Sequence, residues 1–166
     1  GASTPIGDLE ADDWRRVMSV NVDAVAETLR QLHPILALSP VGGRVAMIGS
    51  KNVSAPGAGA AAYSASKAAL TQLARVAAIE WAADGIRVNT VHPDAVFDTG
   101  LWTDDLLASR AEKYGLTVDG YKRRNLLQTE VTAAVVGEAV ALLCGDSFAA
   151  TTGAQIPIDG GNERTI

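Results

Sequence analysis

Apolar positions recur at helical spacing from about Leu9 to Ala37, at Trp14, Val17, Met18, Val22, Val25, Leu29 and Leu32. The pattern predicts one amphipathic helix, capped by Asp8 ahead of an acidic first turn and bent near Pro34. After the Gly42-Gly43 breaker the period changes: RVAMI, Arg44 to Ile48, is short, apolar and β-prone, as a buried parallel strand should be. A Gly/Ala/Pro-rich loop from Ser50 to Ala60 leads into an Ala-rich helix predicted over Ala61 to Ala83, which Gly85 terminates. Ile86 to Val91 reads as a second buried strand. The loop Pro93 to Gly100 follows, then a polar helical stretch through Arg124 and an amphipathic helix over Val131 to Leu143. A third short strand, Gln155 to Ile158, precedes Asp159-Gly160-Gly161.

This alternation predicts an α/β fold with a parallel sheet and crossover helices. In such sheets the chemistry sits in loops leaving the carboxyl ends of strands. Ser50 follows the first strand and Pro93 to Thr99 follow the second, so both loops should open on the same edge. No repeat and no linker divides the chain, and one domain over residues 1–166 is expected. Its 166 residues are 48% hydrophobic and 20% charged, which suits a soluble globular domain. A net charge of -5 with no Lys/Arg tract argues against nucleic acid as a partner. The apolar runs fall short of membrane-spanning length, and GASTPIGDLE has neither the basic region nor the apolar run of a signal peptide. A single cysteine, Cys144, cannot form an internal disulfide; in AVALLC it reads as an inert core thiol, and a cytoplasmic setting is expected.

Candidate chemistry centres on YSASK. Tyr63 and Lys67 stand four apart and share one helix face. A free phenol is a poor base at neutral pH, and an ammonium beside it stabilises the phenolate. Ser50, leaving the neighbouring strand, could present its hydroxyl to the phenol across a substrate oxygen. Asn21, in SVNV of the first helix, has a side chain able to orient a water beside Lys67.

Asn21 in SVNV, Ser50 in MIGS, and Tyr63 and Lys67 in YSASK resemble the Asn-Ser-Tyr-Lys tetrad of short-chain dehydrogenases/reductases, in that family's order and spacing. GIRVN, Gly85 to Asn89, and DGG, Asp159 to Gly161, resemble two further landmarks, so the likeness spans essentially the whole chain. A bare YxxxK is weak; four landmarks in register with two flanking motifs are specific. The resemblance implies a Rossmann-like, doubly wound parallel sheet and hydride transfer at nicotinamide C4 with NAD or NADP. Tyr63 would be the general acid/base, Ser50 would hydrogen-bond the substrate oxygen, Lys67 would bind the nicotinamide ribose and Asn21 would hold a relay water. Pro93 and Val96 would meet the carboxamide end, Thr99 the pyrophosphate side, and Trp102 lies in the segment that covers substrate. The Asn21 helix and the Ala-rich helix would build a homodimer or homotetramer.

Two departures qualify the match. The usual Pro-Gly is Pro93-Asp94 here, and Thr99 stands one position later than the commonest spacing, so Asp94 and Asp98 are expected to reshape the cofactor pocket or meet a polar substrate. The family's Gly-rich dinucleotide turn is absent: APGAGAAA, Ala55 to Ala62, follows the serine and is the wrong loop. Gly1 aligns with the last glycine of the family's Asn-Ala-Gly motif, which makes this the C-terminal part of the sheet, lacking the N-terminal nucleotide-binding strands. KNVSAPGAGAAAYSASKAALTQLARVAA, HPDAVFDTGLWT, YGLTVDGYKRRNLL and TEVT look like the dehydrogenase part of bifunctional rhamnulose-phosphate aldolase/short-chain dehydrogenases, with the Pro-Asp departure reproduced. That likeness implies lactaldehyde from rhamnose breakdown as substrate and an aldolase as fused domain or partner.

Plainer readings stand beside these. His92 reads as a strand-end histidine with structural hydrogen bonds, and His33 as a surface residue. Trp102 is either a pocket wall or core, Trp14 and Trp81 pack on amphipathic helices, and Lys122, Arg123 and Arg124 form a solvated helix face. No metal-ligand cluster is apparent. The rival to an enzyme is a non-catalytic fragment or oligomerisation module, motivated by an unpaired edge on the Arg44–Ile48 strand.

Overall fold

The computed structural model describes residues 3–162. Three parallel strands, β1 (Arg44–Ile48), β2 (Arg87–Pro93) and β3 (Gln155–Ile158), form one sheet in the order β1-β2-β3. Arg44 to Ile48 pair with Arg87 to Val91, and Thr90 to Pro93 pair with Gln155 to Ile158. The central strand is the most buried: Val88, Thr90 and Val91 are fully enclosed, and its buried polar residues Asn89 and His92 are hydrogen-bonded.

The first helical region differs from the expected single helix. It comprises α1 (Ala11–Met18), a π-helical turn at Ser19–Asp23 and α2 (Ala24–Leu36). The ladder changes register at the turn, where the Ala24 N–H donates to the Ser19 carbonyl five residues back. Pro34 lies inside α2, two residues before its end, and removes one intrahelical donor there. Asp8 sits in a separate 3-10 turn, Ile6–Asp8; the cap position of α1 is Glu10, whose side chain makes no capping bond.

Helix α3 (Ala61–Glu80) lies over the sheet through small residues, Ala74, Ala77 and Ala78, all nearly inaccessible. With Leu29, Met47, Leu70, Ile86 and Val88 they make the main core, against which Trp81 packs. The polar stretch after β2 forms two helices, α4 (Asp104–Lys113) and α5 (Val118–Lys122), and α6 (Ala133–Cys144) follows. Each begins with a threonine, Thr103, Thr117 or Thr132, whose hydroxyl accepts an N–H of the first turn. A second, aromatic cluster joins Phe97, Leu107, Ala111 and Tyr121, with Trp102 against it. Phe97 and Trp102 have ring centroids 4.9 Å apart.

At the foot of the sheet Arg44 and Arg87 are register partners. Arg44 donates to the Cys144 carbonyl at 2.7 Å, and Arg87 to Leu143, Phe148 and Gly145 carbonyls at 2.8, 2.9 and 3.1 Å. Two adjacent cations are tolerated because they face the negative end of α6 and, for Arg44, the Asp146 carboxylate. Among the described residues no helix is long and apolar enough to cross a membrane, and no group of His, Cys, Asp and Glu could hold a metal ion.

Candidate active site

The carboxyl ends of β1 and β2 and the first two turns of α3 converge on one place. Lys67 is carried on α3 one turn beyond Tyr63, and its Nζ donates to the Ile48 carbonyl, 2.8 Å away, at the end of β1. The same ammonium lies 5.9 Å from the centre of the Tyr63 ring. Burial holds the Lys67 amine below the ordinary lysine range, because desolvation opposes its charge. Tyr63 is 41% exposed, so its phenol is open to a ligand, whereas Ser50 is 6% exposed. Extended backbone at Ser50 turns directly into a 3-10 turn, Lys51–Val53, and the Ser50 Oγ accepts the Asn52 N–H at 3.2 Å. That leaves the hydroxyl hydrogen available to donate outward.

Asn21 occupies the middle of the π-helical turn. Its Nδ2 donates to Ser66 Oγ at 3.0 Å, and Ser66 donates to the Tyr63 carbonyl at 2.7 Å. The Asn21 side chain therefore braces the backbone of α3 under Tyr63. Such π turns concentrate at functional sites, and five residues of altered period are too few to register in a hydrophobic pattern.

The loop after β2 uses its acidic residues structurally. Asp98 accepts the Ala133 N–H at 2.8 and 3.1 Å through its two oxygens, capping α6 rather than facing a ligand. Asp94 pairs with Lys51 at 3.4 Å and accepts from Asn162 Nδ2, tying together the loops that leave all three strands. Thr99 turns its hydroxyl back onto the Val96 carbonyl at 2.9 Å, and Pro93 is the last residue of β2. Trp102 joins the aromatic cluster beside this loop. His92, Asn89 and Ser66 are polar residues that the pattern did not assign to the site. Asn89 bonds the Thr151 carbonyl and the Ala154 N–H at 3.0 Å each, fixing β2 to the loop before β3. The expected alignment of Gly1 lies outside the described residues.

A strand-end serine and a Tyr-Lys pair on the crossing helix meet at one edge of a parallel, Rossmann-like sheet. The family model described as enoyl-(acyl carrier protein) reductase matches residues 2–163. The chain is 33% identical over 164 residues to uncharacterized oxidoreductase YuxG of Bacillus subtilis, covering 96% of this chain and 24% of that protein. It is 31% identical over 155 residues to an uncharacterized NAD-dependent oxidoreductase of Mycobacterium tuberculosis, covering 93% of this chain and 56% of the relative. A short chain dehydrogenase family protein of Francisella tularensis superposes with a TM-score of 0.82 at 27% identity, over 99% of this chain and 67% of that one. The chain belongs to the short-chain dehydrogenase/reductase family. It spans less than two thirds of the two curated relatives' lengths.

Proposed function

We propose that the protein carrying this chain is an NAD(P)-linked oxidoreductase of small alcohols and carbonyls, with lactaldehyde as its substrate. The observation that carries the reading is the seat of Lys67, held at 2.8 Å on the Ile48 carbonyl and facing the Tyr63 ring, beside the strand end that delivers Ser50. Ser50 donates its hydroxyl hydrogen to the substrate oxygen. Tyr63 gives or takes the proton at that oxygen, and Lys67 supplies the positive charge that supports the phenolate. Asn21 acts through Ser66, keeping the first turn of α3 in place.

The donor set suits the nicotinamide end of a dinucleotide. Lys67 and the Tyr63 hydroxyl would hold the ribose, and the Pro93–Val96 backbone would meet the carboxamide. Thr99 would reach the pyrophosphate side only if its hydroxyl turned away from Val96. When bound, the nicotinamide supplies or accepts the hydride. Residues 3–162 contain no Gly-rich turn for the pyrophosphate, and the additional length of the relatives offers room for one.

The lactaldehyde assignment rests on the sequence likeness to aldolase-fused dehydrogenases. The Bacillus relative has room for a further domain: this chain spans 24% of it but 56% of the Mycobacterium one. Absorbance of NADH and NADPH during lactaldehyde reduction by the full-length protein tests the reading; no turnover with either cofactor excludes it.

A second reading keeps this chain as an assembly module. Its support is the outer edge of β1, which has no strand beside it among the described residues, and exposed apolar side chains on α2 and α3, Ile35 at 65% and Ile79 at 78%. A homodimer or homotetramer through those helices fits either reading. Titration calorimetry of the full-length protein with NAD and NADP separates them: micromolar binding favours the enzyme, and none favours the module.

A further inference from the structure

We propose that His92 is the positioning residue of Ser50: a neutral imidazole that pins the serine's backbone and so aims its hydroxyl at the substrate oxygen. The inference rests on the reading of Ser50 given above. His92 is the penultimate residue of β2 and is 8% exposed. Its Nδ1 lies 3.3 Å from the Ser50 nitrogen and 3.0 Å from the Ser50 oxygen, and its Nε2 lies 2.8 Å from Gln155 Oε1. Both ring nitrogens are engaged inside the protein, so the ring cannot serve as a general acid toward a ligand.

The network selects the tautomer. Gln155 Nε2 donates to the Gly153 carbonyl at 3.3 Å and points toward Thr90 Oγ1 at 3.5 Å, which turns the amide oxygen to the histidine. That oxygen only accepts, so Nε2 of His92 carries the proton. In a neutral ring Nδ1 is then a lone pair, and the Ser50 N–H donates to it. A proton on Nδ1 would exchange this bond for one to the Ser50 carbonyl and release the N–H.

Gly49 supplies an independent sign that the ring belongs there. A Cβ at Gly49 would stand 2.6 Å from Nδ1 and 2.7 Å from Cε1 of His92, so only glycine admits the imidazole. Gly49 N–H meanwhile bonds the Val91 carbonyl at 2.8 Å, closing the two strand ends together. Ser50 is thereby fixed at its nitrogen by His92 and at Oγ by the Asn52 N–H, one residue from a glycine shaped to the ring. A serine aimed by one buried hydrogen bond should lose about tenfold in kcat without it, the equivalent of roughly 1.4 kcal/mol.

The test is a double-mutant cycle in the full-length protein, with lactaldehyde and NADH or NADPH. His92→Leu should lower kcat about tenfold with KM within about twofold. His92→Asn, whose amide oxygen can stand where Nδ1 stood, should recover most of that loss. In a Ser50→Ala background His92→Leu should cost nothing more. Equal loss in both backgrounds overturns the positioning role alone, whereas undiminished turnover in Ser50→Ala overturns it together with the assignment of the serine. Nitrogen NMR of the unsubstituted protein's imidazole gives a measurement free of any folding defect. The expected signature is a protonated Nε2 beside a bare Nδ1, and a proton on Nδ1 of the neutral ring refutes the proposal.

Discussion

Two packed regions flank the site, and they are built on opposite principles. The core beneath α3 relies on small side chains, Ala74, Ala77 and Ala78, that let a helix lie close on a sheet. The cluster beyond β2 relies on large rings, Phe97, Trp102 and Tyr121, which fill space between short helices. The first holds Tyr63, Lys67 and Ser50 to one strand end, where a displacement of an ångström is costly. The second is made almost wholly from residues 97–121, so it can change its contents without disturbing the sheet.

The largest expected effect separates chemistry from packing altogether. Tyr63→Phe should reduce kcat/KM by about a hundredfold to ten-thousandfold while leaving the melting temperature unchanged; retained activity in a steady-state assay would remove Tyr63 from the mechanism. Next, Phe97→Ala should destabilise by about 3 to 5 kcal/mol, a denaturant titration being the measurement. Trp102 emission should change in that variant while that of Trp81, which packs on the other core, does not. A simultaneous change in both would merge the two regions into one. Ala74→Leu should cost about 1 to 3 kcal/mol by overpacking the close helix–sheet contact, and its effect should add to that of Phe97→Ala. Asp98→Ala, which removes the acceptor at the start of α6, should cost about 1 kcal/mol, seen as a small fall in melting temperature.

The pH dependence follows from Lys67. Burial makes its ammonium release the proton at a lower pH than a lysine in water, so the charge that supports Tyr63 disappears as pH rises. The alkaline limb of the kcat profile should therefore begin below the ordinary lysine range. In Lys67→Arg, which stays charged, any surviving activity should keep no such limb.

The two regions also differ in how far the sequence disclosed them. Short β-prone runs between breakers announce themselves, and RVAMI at Arg44–Ile48 and QIPI at Gln155–Ile158 fall where the pattern places them, although both are half-buried rather than enclosed. The Ala-rich helix does as well, although Glu80 ends it before a 3-10 turn at Ala82–Asp84 takes over. The aromatic cluster was opaque, because Phe97 and Tyr121 share no period and meet only through tertiary packing. Within the site, Tyr63 and Lys67 are neighbours by helix geometry, which a sequence displays directly. The contacts of His92 join residues 42 and 63 positions away, and those of Asn21 reach 45 positions, so no local rule exposes them.

The paired arginines at the foot of the sheet bear on the order in which the chain assembles. The bonds from Arg44 and Arg87 to the end of α6 span 100 and 56 positions, and they require β1 and β2 to be side by side already. Loop closure over such distances is slow compared with helix formation. Docking of α6 is therefore expected late in folding, which pulsed hydrogen exchange would register as late protection of its amides.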